Sequence, residues 1–185
     1  MRGLTIHSSR RRFAARLNSG VSPAMQITKS SRHSKITGDF AERLILYWLS
    51  KYGFECAFVD HVGLDLIARN PQTKEVMGIS VKSRSRSAGT EGTSINIPVE
   101  QLGKLDSACA AFDCVPYFAI VADQENQIDA FILAKSHLIA ICSVGKSVID
   151  FKMRKPHIVS YLQDPEIRSF SFQTRTNNWW QSAQS

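Results

Sequence analysis

The sequence has no apolar run long enough to span a membrane. Its longest, Leu44–Leu49, Phe118–Ala122 and Ala130–Ala134, fall far short of the ~18–20 residues a bilayer-crossing helix needs. It has four cysteines in 185 residues, and none are spaced as a metal-ligand pair. That excludes a disulfide scaffold and a zinc module. The nearest two, Cys109 and Cys114, lie five apart within a helical pattern and read as ordinary buried thiols of a reduced intracellular compartment. There is no Rossmann glycine pattern and no P-loop. Gly145-Lys146-Ser147 resembles the end of a P-loop, but the earlier glycine is missing. No internal repeat is present.

Acidic residues are absent from the first 38 positions, which hold eight of the 23 Lys and Arg residues. The remaining 15 bases face all 16 acids, so residues 39–185 carry a net charge of −1. The basic balance therefore belongs to a Ser- and Arg-rich N-terminal arm, expected over 1–36 and expected to be disordered alone. Three readings of the arm stay open. It could cling to phosphate backbone, act as a mitochondrial-type targeting segment, or be an over-reading ahead of a true start at Met25. It lacks the apolar stretch of a secretory signal.

The body, expected over 37–154 with a C-terminal extension over 155–185, alternates helix and strand periodicity. Thr37 is a candidate N-cap, with Asp39 in the first turn, where the helix dipole favours an anion. Ala41, Leu44, Ile45, Trp48, Leu49 and Tyr52 recur at helical spacing and Gly53 supplies a stop, predicting a helix over 38–52. Strands follow at 54–60, 64–69 and 75–83, then a polar Gly/Ser-rich loop over 84–94. Pro98 opens a helix to about Phe112. A doubly buried strand over 115–122, a strand over 128–133, a short helix around 136–142 and a strand around 148–153 complete the series. The expected fold is an α/β sandwich with a mixed sheet.

The hairpin around Pro71–Lys74 fixes the most specific inference. With Arg69 opposite Val76 and Ile67 opposite Gly78, Asp65 falls opposite Ser80, and Lys82 shares that face. Leu64, Leu66, Met77, Ile79 and Val81 take the other, apolar face. A slip of one residue would bury the charges, so the alternation supports this register. A carboxylate and an amine held together suit metal-assisted phosphodiester chemistry. The acid binds a hard cation, the cation acidifies water, and the amine steadies charge on phosphorus.

These residues resemble the signature of the PD-(D/E)xK, or restriction-endonuclease-like, nucleases, a superfamily that includes Holliday-junction resolvases. The chain offers Gly38-Asp39-Phe40-Ala41-Glu42 on the first helix and Gly63-Leu64-Asp65-Leu66-Ile67-Ala68 on the second strand. Its third strand carries Gly78-Ile79-Ser80-Val81-Lys82-Ser83-Arg84. The resemblance covers about residues 36 to 134 and implies an α-β-β-β-α-β core with a mixed central sheet flanked by helices. It implies Glu42, Asp65 and Lys82 as catalytic residues, with Asp65 and Glu42 on Mg²⁺ or Mn²⁺, nucleic acid (DNA first) as partner, and a homodimer as one arrangement for symmetric cutting. Two positions depart from it. Leu64 replaces the usual proline, and Ser80 stands where an acid is expected. A branch of restriction enzymes with Ser-x-Lys draws its acid from the following helix, which makes Glu100 the candidate replacement here. Gln101 is a weaker oxygen donor and Glu91 a loop alternative.

Around this set, Arg84 and Arg86 could grip flanking phosphates or form an exposed basic strand end. His61 reads as a turn residue. Phe170 and Phe172 read as packing residues, and Trp179-Trp180 as stacking or packing. Two functions compete: a metal-dependent endonuclease, and a catalytically degenerate member of the fold that binds nucleic acid or protein. A chance match on an unrelated α/β domain would leave Glu42, Asp65 and Lys82 far apart.

Overall fold

A computed structural model describes residues 29–86, 90, 93–124 and 126–175. The elements, in order, are α1 (His33–Lys51), β1 (Glu55–His61), β2 (Leu64–Arg69), β3 (Val76–Ser85), β4 (Ile95–Pro98), α2 (Glu100–Ala111), β5 (Val115–Gln124), β6 (Gln127–Ala134), α3 (Lys135–Ile141), β7 (Ser143–Val144), β8 (Val148–Phe151), α4 (Lys155–Gln163) and β9 (Arg168–Gln173). The main sheet runs β1-β2-β3-β5-β6-β9, and β4-β8-β7 form a second, smaller one. Only the β3–β5 pair of the main sheet is parallel, so the sheet is mixed. The α-β-β-β-α-β order expected from the sequence is present, with β4 inserted before α2.

Helix α1 forms because Ala41, Ile45 and Leu49 recur every four residues and bury one stripe. It starts earlier than expected. Arg32 is the N-cap, and Thr37 lies inside the helix, where its hydroxyl donates to the His33 carbonyl at 2.8 Å. Asp39 consequently sits beyond the first turn and pairs with Lys35 at 3.2 Å. The helix ends in a Schellman motif. Gly53 takes φ +84°, and the Phe54 N–H reaches back to the Leu49 carbonyl at 3.1 Å.

Pro98 closes β4 instead of opening a helix, because Ile95 and Ile97 are buried between flanking exposed residues and pair with Phe151 and Ile149 of β8. The period there is two, not 3.6. The segment expected as an extension from 155 is part of the body. It supplies α4 and then β9, which pairs with β6 from Gln127↔Gln173 to Ile132↔Arg168.

Two apolar layers flank the main sheet. One gathers α1 with Leu66, Ala68, Met77, Ile79, Ala119 and Val121. The other gathers α2, the small sheet, α3 and α4 over Phe118, Ile120 and Phe131. Phe170 and Phe172 pack as expected, stacked and edge-on against Trp48 at centroid distances of 4.2 and 5.3 Å. At the β2–β3 turn, the Asn70 side-chain oxygen accepts the N–H groups of Gln72 (2.9 Å) and Thr73 (3.2 Å), an Asx turn that sets the hairpin. Ile67 pairs with Gly78 and Arg69 with Val76, the register derived above.

Leu64 departs from the alternation. It lies on the α2 side with Leu105 and Phe118, not with Leu66. The cause is an irregularity where β1 meets β2: pairing shifts between Phe58 and His61. Gly63, at φ +90°, presses the turn so closely on α2 that a Cβ would lie 2.7 Å from the Lys104 carbonyl carbon.

Candidate active site at a fork in the sheet

The backbone pairing of β2 with β3 ends at Leu66↔Ile79, whereas β3 continues beside β5 as far as Ser85↔Asp123. β3 therefore runs six residues past its last partner on β2. Backbone N–H groups at such a fork need acceptors. Asp65 supplies one: its Oδ2 accepts the Val81 N–H at 2.6 Å. The same oxygen accepts the Ser80 hydroxyl at 3.3 Å, and Ser80 Oγ in turn accepts Lys82 Nζ at 2.9 Å. Asp65, Ser80 and Lys82 thus form one hydrogen-bonded chain, from carboxylate through hydroxyl to ammonium. Ser80 is buried at 1% exposure, so the link is shielded from water.

Glu42 reaches the same place from α1, one residue past the buried Ala41. Burial raises its pKa first, Asp65 and Asp39 raise it further, and Lys35 and Lys82 oppose the rise. Lys82 answers in kind. Burial lowers its pKa, and the negative charges of Asp65 and Glu42 resist that fall. The charges of Glu42, Asp65 and Lys82 act on one another.

Glu100 is not drawn in. It is exposed in the first turn of α2 and pairs with Lys104 at 2.9 Å, and it is not among the charges that shift Glu42 or Lys82. Gln101 lies beside it on the same helix. Arg84 Nη1 donates to the Ser94 carbonyl at 2.9 Å. Arg86 is buried, and its Nη2 donates to the Met153 carbonyl at 3.0 Å. Both guanidinium groups are thus bonded to backbone carbonyls of the body, with Arg86 turned inward. His61 ends β1, its ring edge-on to Phe112. Glu91 and Trp179-Trp180 lie outside the described residues.

The linking role of Ser80 was not read from the sequence, where it counted only as a lost acid. Its signal was present: a hydroxyl two residues before Lys82 on a strand shares that side chain's face. The Val81 N–H carried no signal, because a bond from side chain to backbone depends on where the ladder stops.

Among the described residues no group of three or more His, Cys, Asp or Glu could hold a metal. The carboxylates of Glu42 and Asp65, each facing the Lys82 charge, are hard oxygen donors of the kind Mg²⁺ takes. That ion is held by one or two carboxylates, keeps several waters and takes the rest of its shell from substrate phosphate. The fit is to an ion completed by its substrate, not to a preformed protein cage. Glu42 and Asp65 are the residues that could hold it.

No protein-family model matches the chain, and no curated protein matches it. Among solved structures, it is similar to Hjc, a Holliday junction resolvase from the archaeal hyperthermophile Archaeoglobus fulgidus, with a TM-score of 0.49, 18% identity, and coverage of 70% of this chain and 90% of that one.

Proposed function

We propose that this protein is a metal-dependent endonuclease of the PD-(D/E)xK type, hydrolysing phosphodiester bonds in DNA. The observation that carries the reading is the Asp65–Ser80–Lys82 hydrogen-bonded chain at the fork between β2 and β3, on which the charge of Glu42 from α1 also acts. A helix surface acid and a solvated strand pair have no reason to converge where a sheet opens. Such a site meets a backbone phosphate with both signs of charge in place.

A Mg²⁺ ion on Asp65 and Glu42 would supply Lewis-acid polarisation of the phosphate and a more acidic water. The chain's own groups do the rest. Lys82 places its ammonium against the charge that builds on the phosphate oxygens. Ser80 holds that ammonium at a fixed distance from Asp65, so the charge pattern is set before substrate arrives. Asp65 keeps one oxygen on the Val81 N–H, which fixes the carboxylate plane. Burial eases loss of the Lys82 proton, which suits it to orient and relieve the attacking water.

The second reading, a catalytically degenerate fold that binds nucleic acid, is favoured by one observation: Ser80 leaves the site with two acids, and Glu100 is engaged elsewhere. Cleavage of labelled linear, single-stranded and four-way-junction DNA with Mg²⁺ or Mn²⁺ separates the two. Metal-dependent cutting abolished in Lys82→Ala and Asp65→Ala supports the enzyme. Binding that survives both substitutions, with no cutting under either metal, supports the degenerate fold. Cutting that falls in Glu100→Ala would return Glu100 to the site.

The basic residues of 1–36 are the proposed source of general DNA affinity, because the rest of the chain is near neutral. Deleting residues 1–24 is expected to weaken binding and flatten its salt dependence. Unchanged affinity across several salt concentrations would remove the arm from the mechanism.

A further inference from the structure

Helix α2 ends in the same motif as α1, with different residues at its two key positions. Asp113 takes φ +51°, and the Cys114 N–H reaches back to the Cys109 carbonyl at 2.9 Å. In a Schellman motif the residues joined by this bond bring their side chains into contact. In α1 the pair is Leu49 and Phe54. In α2 it is two thiols.

The sulfurs converge further than the motif alone requires. A Cβ built on Gly78 of β3 would lie 2.5 Å from Cys109 Sγ and 2.5 Å from Cys114 Sγ. Both sulfurs therefore border the one point that a glycine leaves open. Burial and a hydrogen bond to Cys114 push the Cys109 thiol up to about 12. Cys109 is 3% exposed, while Cys114 is only partly buried. Of the two residues, Cys114 is the more exposed. All four cysteines of the chain are in the free state.

We propose that Cys109 and Cys114 are a redox modification site, a dithiol that hydrogen peroxide converts reversibly to an intramolecular disulfide at the C-terminus of α2. Cys114, as thiolate, attacks the peroxide oxygen and becomes a sulfenic acid as the O–O bond breaks, releasing the first water after protonation. Cys109 sulfur then attacks Cys114 sulfur. Its S–H proton and the sulfenic hydroxyl leave as the second water. Two thiols lose two electrons in all, and one peroxide gains them. The new bond would lie over Gly78, one turn of the pleat from Ser80, on a strand whose packing leaves no spare room. The site stands on geometry alone and is independent of the nuclease reading.

The test uses the whole folded protein. Treated with hydrogen peroxide, blocked with iodoacetamide and digested with Asp-N without reduction, it is cut ahead of Asp113, which separates the two cysteines. A bond between them keeps the two fragments joined until dithiothreitol is added. The expected result is that joined species, short of two hydrogen atoms, with Cys56 and Cys142 alkylated. It should be lost in Cys114→Ser and in Cys109→Ala, and wild type alone suffices if either variant folds poorly. Alkylation of Cys109 and Cys114 after peroxide, sulfinic acid at Cys114 without the joined species, or bonds to Cys56 or Cys142 in its place would each overturn the proposal.

Discussion

The carboxylate of Asp65 takes the backbone N–H of Val81 at 2.6 Å, so a side chain does on β3 what the backbone of β2 no longer does. The residue proposed to carry the metal is therefore also a structural clamp. Asp65→Ala leaves that N–H without its acceptor, a loss of about 1–3 kcal/mol. Asp65→Asn keeps an oxygen for it and should lose less than about 1 kcal/mol, yet cut DNA no better than the alanine variant. Urea unfolding beside a cleavage assay reads both effects. An alanine variant as stable as wild type would dismiss the clamp.

Ser80 predicts the reverse balance. Ser80→Ala keeps the Val81 bond and removes only the hydroxyl that joins Lys82 to Asp65. Stability should fall by about 1 kcal/mol. Cleavage should fall by about tenfold through kcat, since a loosened ammonium costs about 1.4 kcal/mol of transition-state stabilisation. Equal kcat in the variant would make Ser80 a passive filler.

Gly78 is constrained by its neighbours, not by its backbone angles. In Gly78→Ala the new methyl would meet two sulfurs at 2.5 Å and Leu64 Cδ1 at 3.0 Å. Overpacking of this kind costs about 1–3 kcal/mol. Adding Cys114→Ala should recover part of it, and a melt of the double variant no higher than that of the single one would count against this account.

Alkaline conditions should destabilise the fold through several buried groups, among them Cys109, Cys142 and Tyr161. Burial, and secondarily Asp150, pushes Cys142 up to about 11 from 9.0. Burial and the neighbouring Cys142 push Tyr161 up to about 12 from 10.0. Both groups ionise more readily in the unfolded chain, which sheds protons first. Their contribution is fully present below pH 9. It falls as pH rises to 11 for the thiol, and from 10 to 12 for the phenol. Urea midpoints at pH 8 and 11 measure the decline, and Cys142→Ala should flatten its first part. Identical midpoints in the wild type would refute the assignment.

Much of the fold was legible because its signals are local. The Ile67↔Gly78 register follows from strict alternation and a turn marked by Asn70-Pro71. The face that gathers Ser80 and Lys82 follows from that register. What escaped depended on tertiary geometry. Leu64 changes sides because β1 meets β2 irregularly. β4 was hidden by Pro98, which starts helices as readily as it ends strands. β9 was hidden by a polar outer face, since only Phe170 of Arg168–Gln173 is fully buried. At the site, Asp65, Ser80 and Lys82 came from the hairpin alone. Glu42 needed the resemblance, because nothing in a helix's own periodicity says which loop end it faces.

The place of β9 also governs the order in which the molecule can be completed. Its partner strand β6 ends 34 residues before β9 begins, with α3, the small sheet and α4 in between. Until β9 has paired, β6 is the open edge of the sheet β1-β2-β3-β5-β6, bearing Ala130, Phe131 and Ile132 beside unpaired backbone groups. Such an edge is a template for a neighbouring chain. The Ser171 hydroxyl, bonded at 2.6 Å to the fully buried Asp129, closes that edge with a polar latch that a foreign strand would not carry. A chain in which β6 has formed and β9 has not yet paired is thus the one most vulnerable to mispairing.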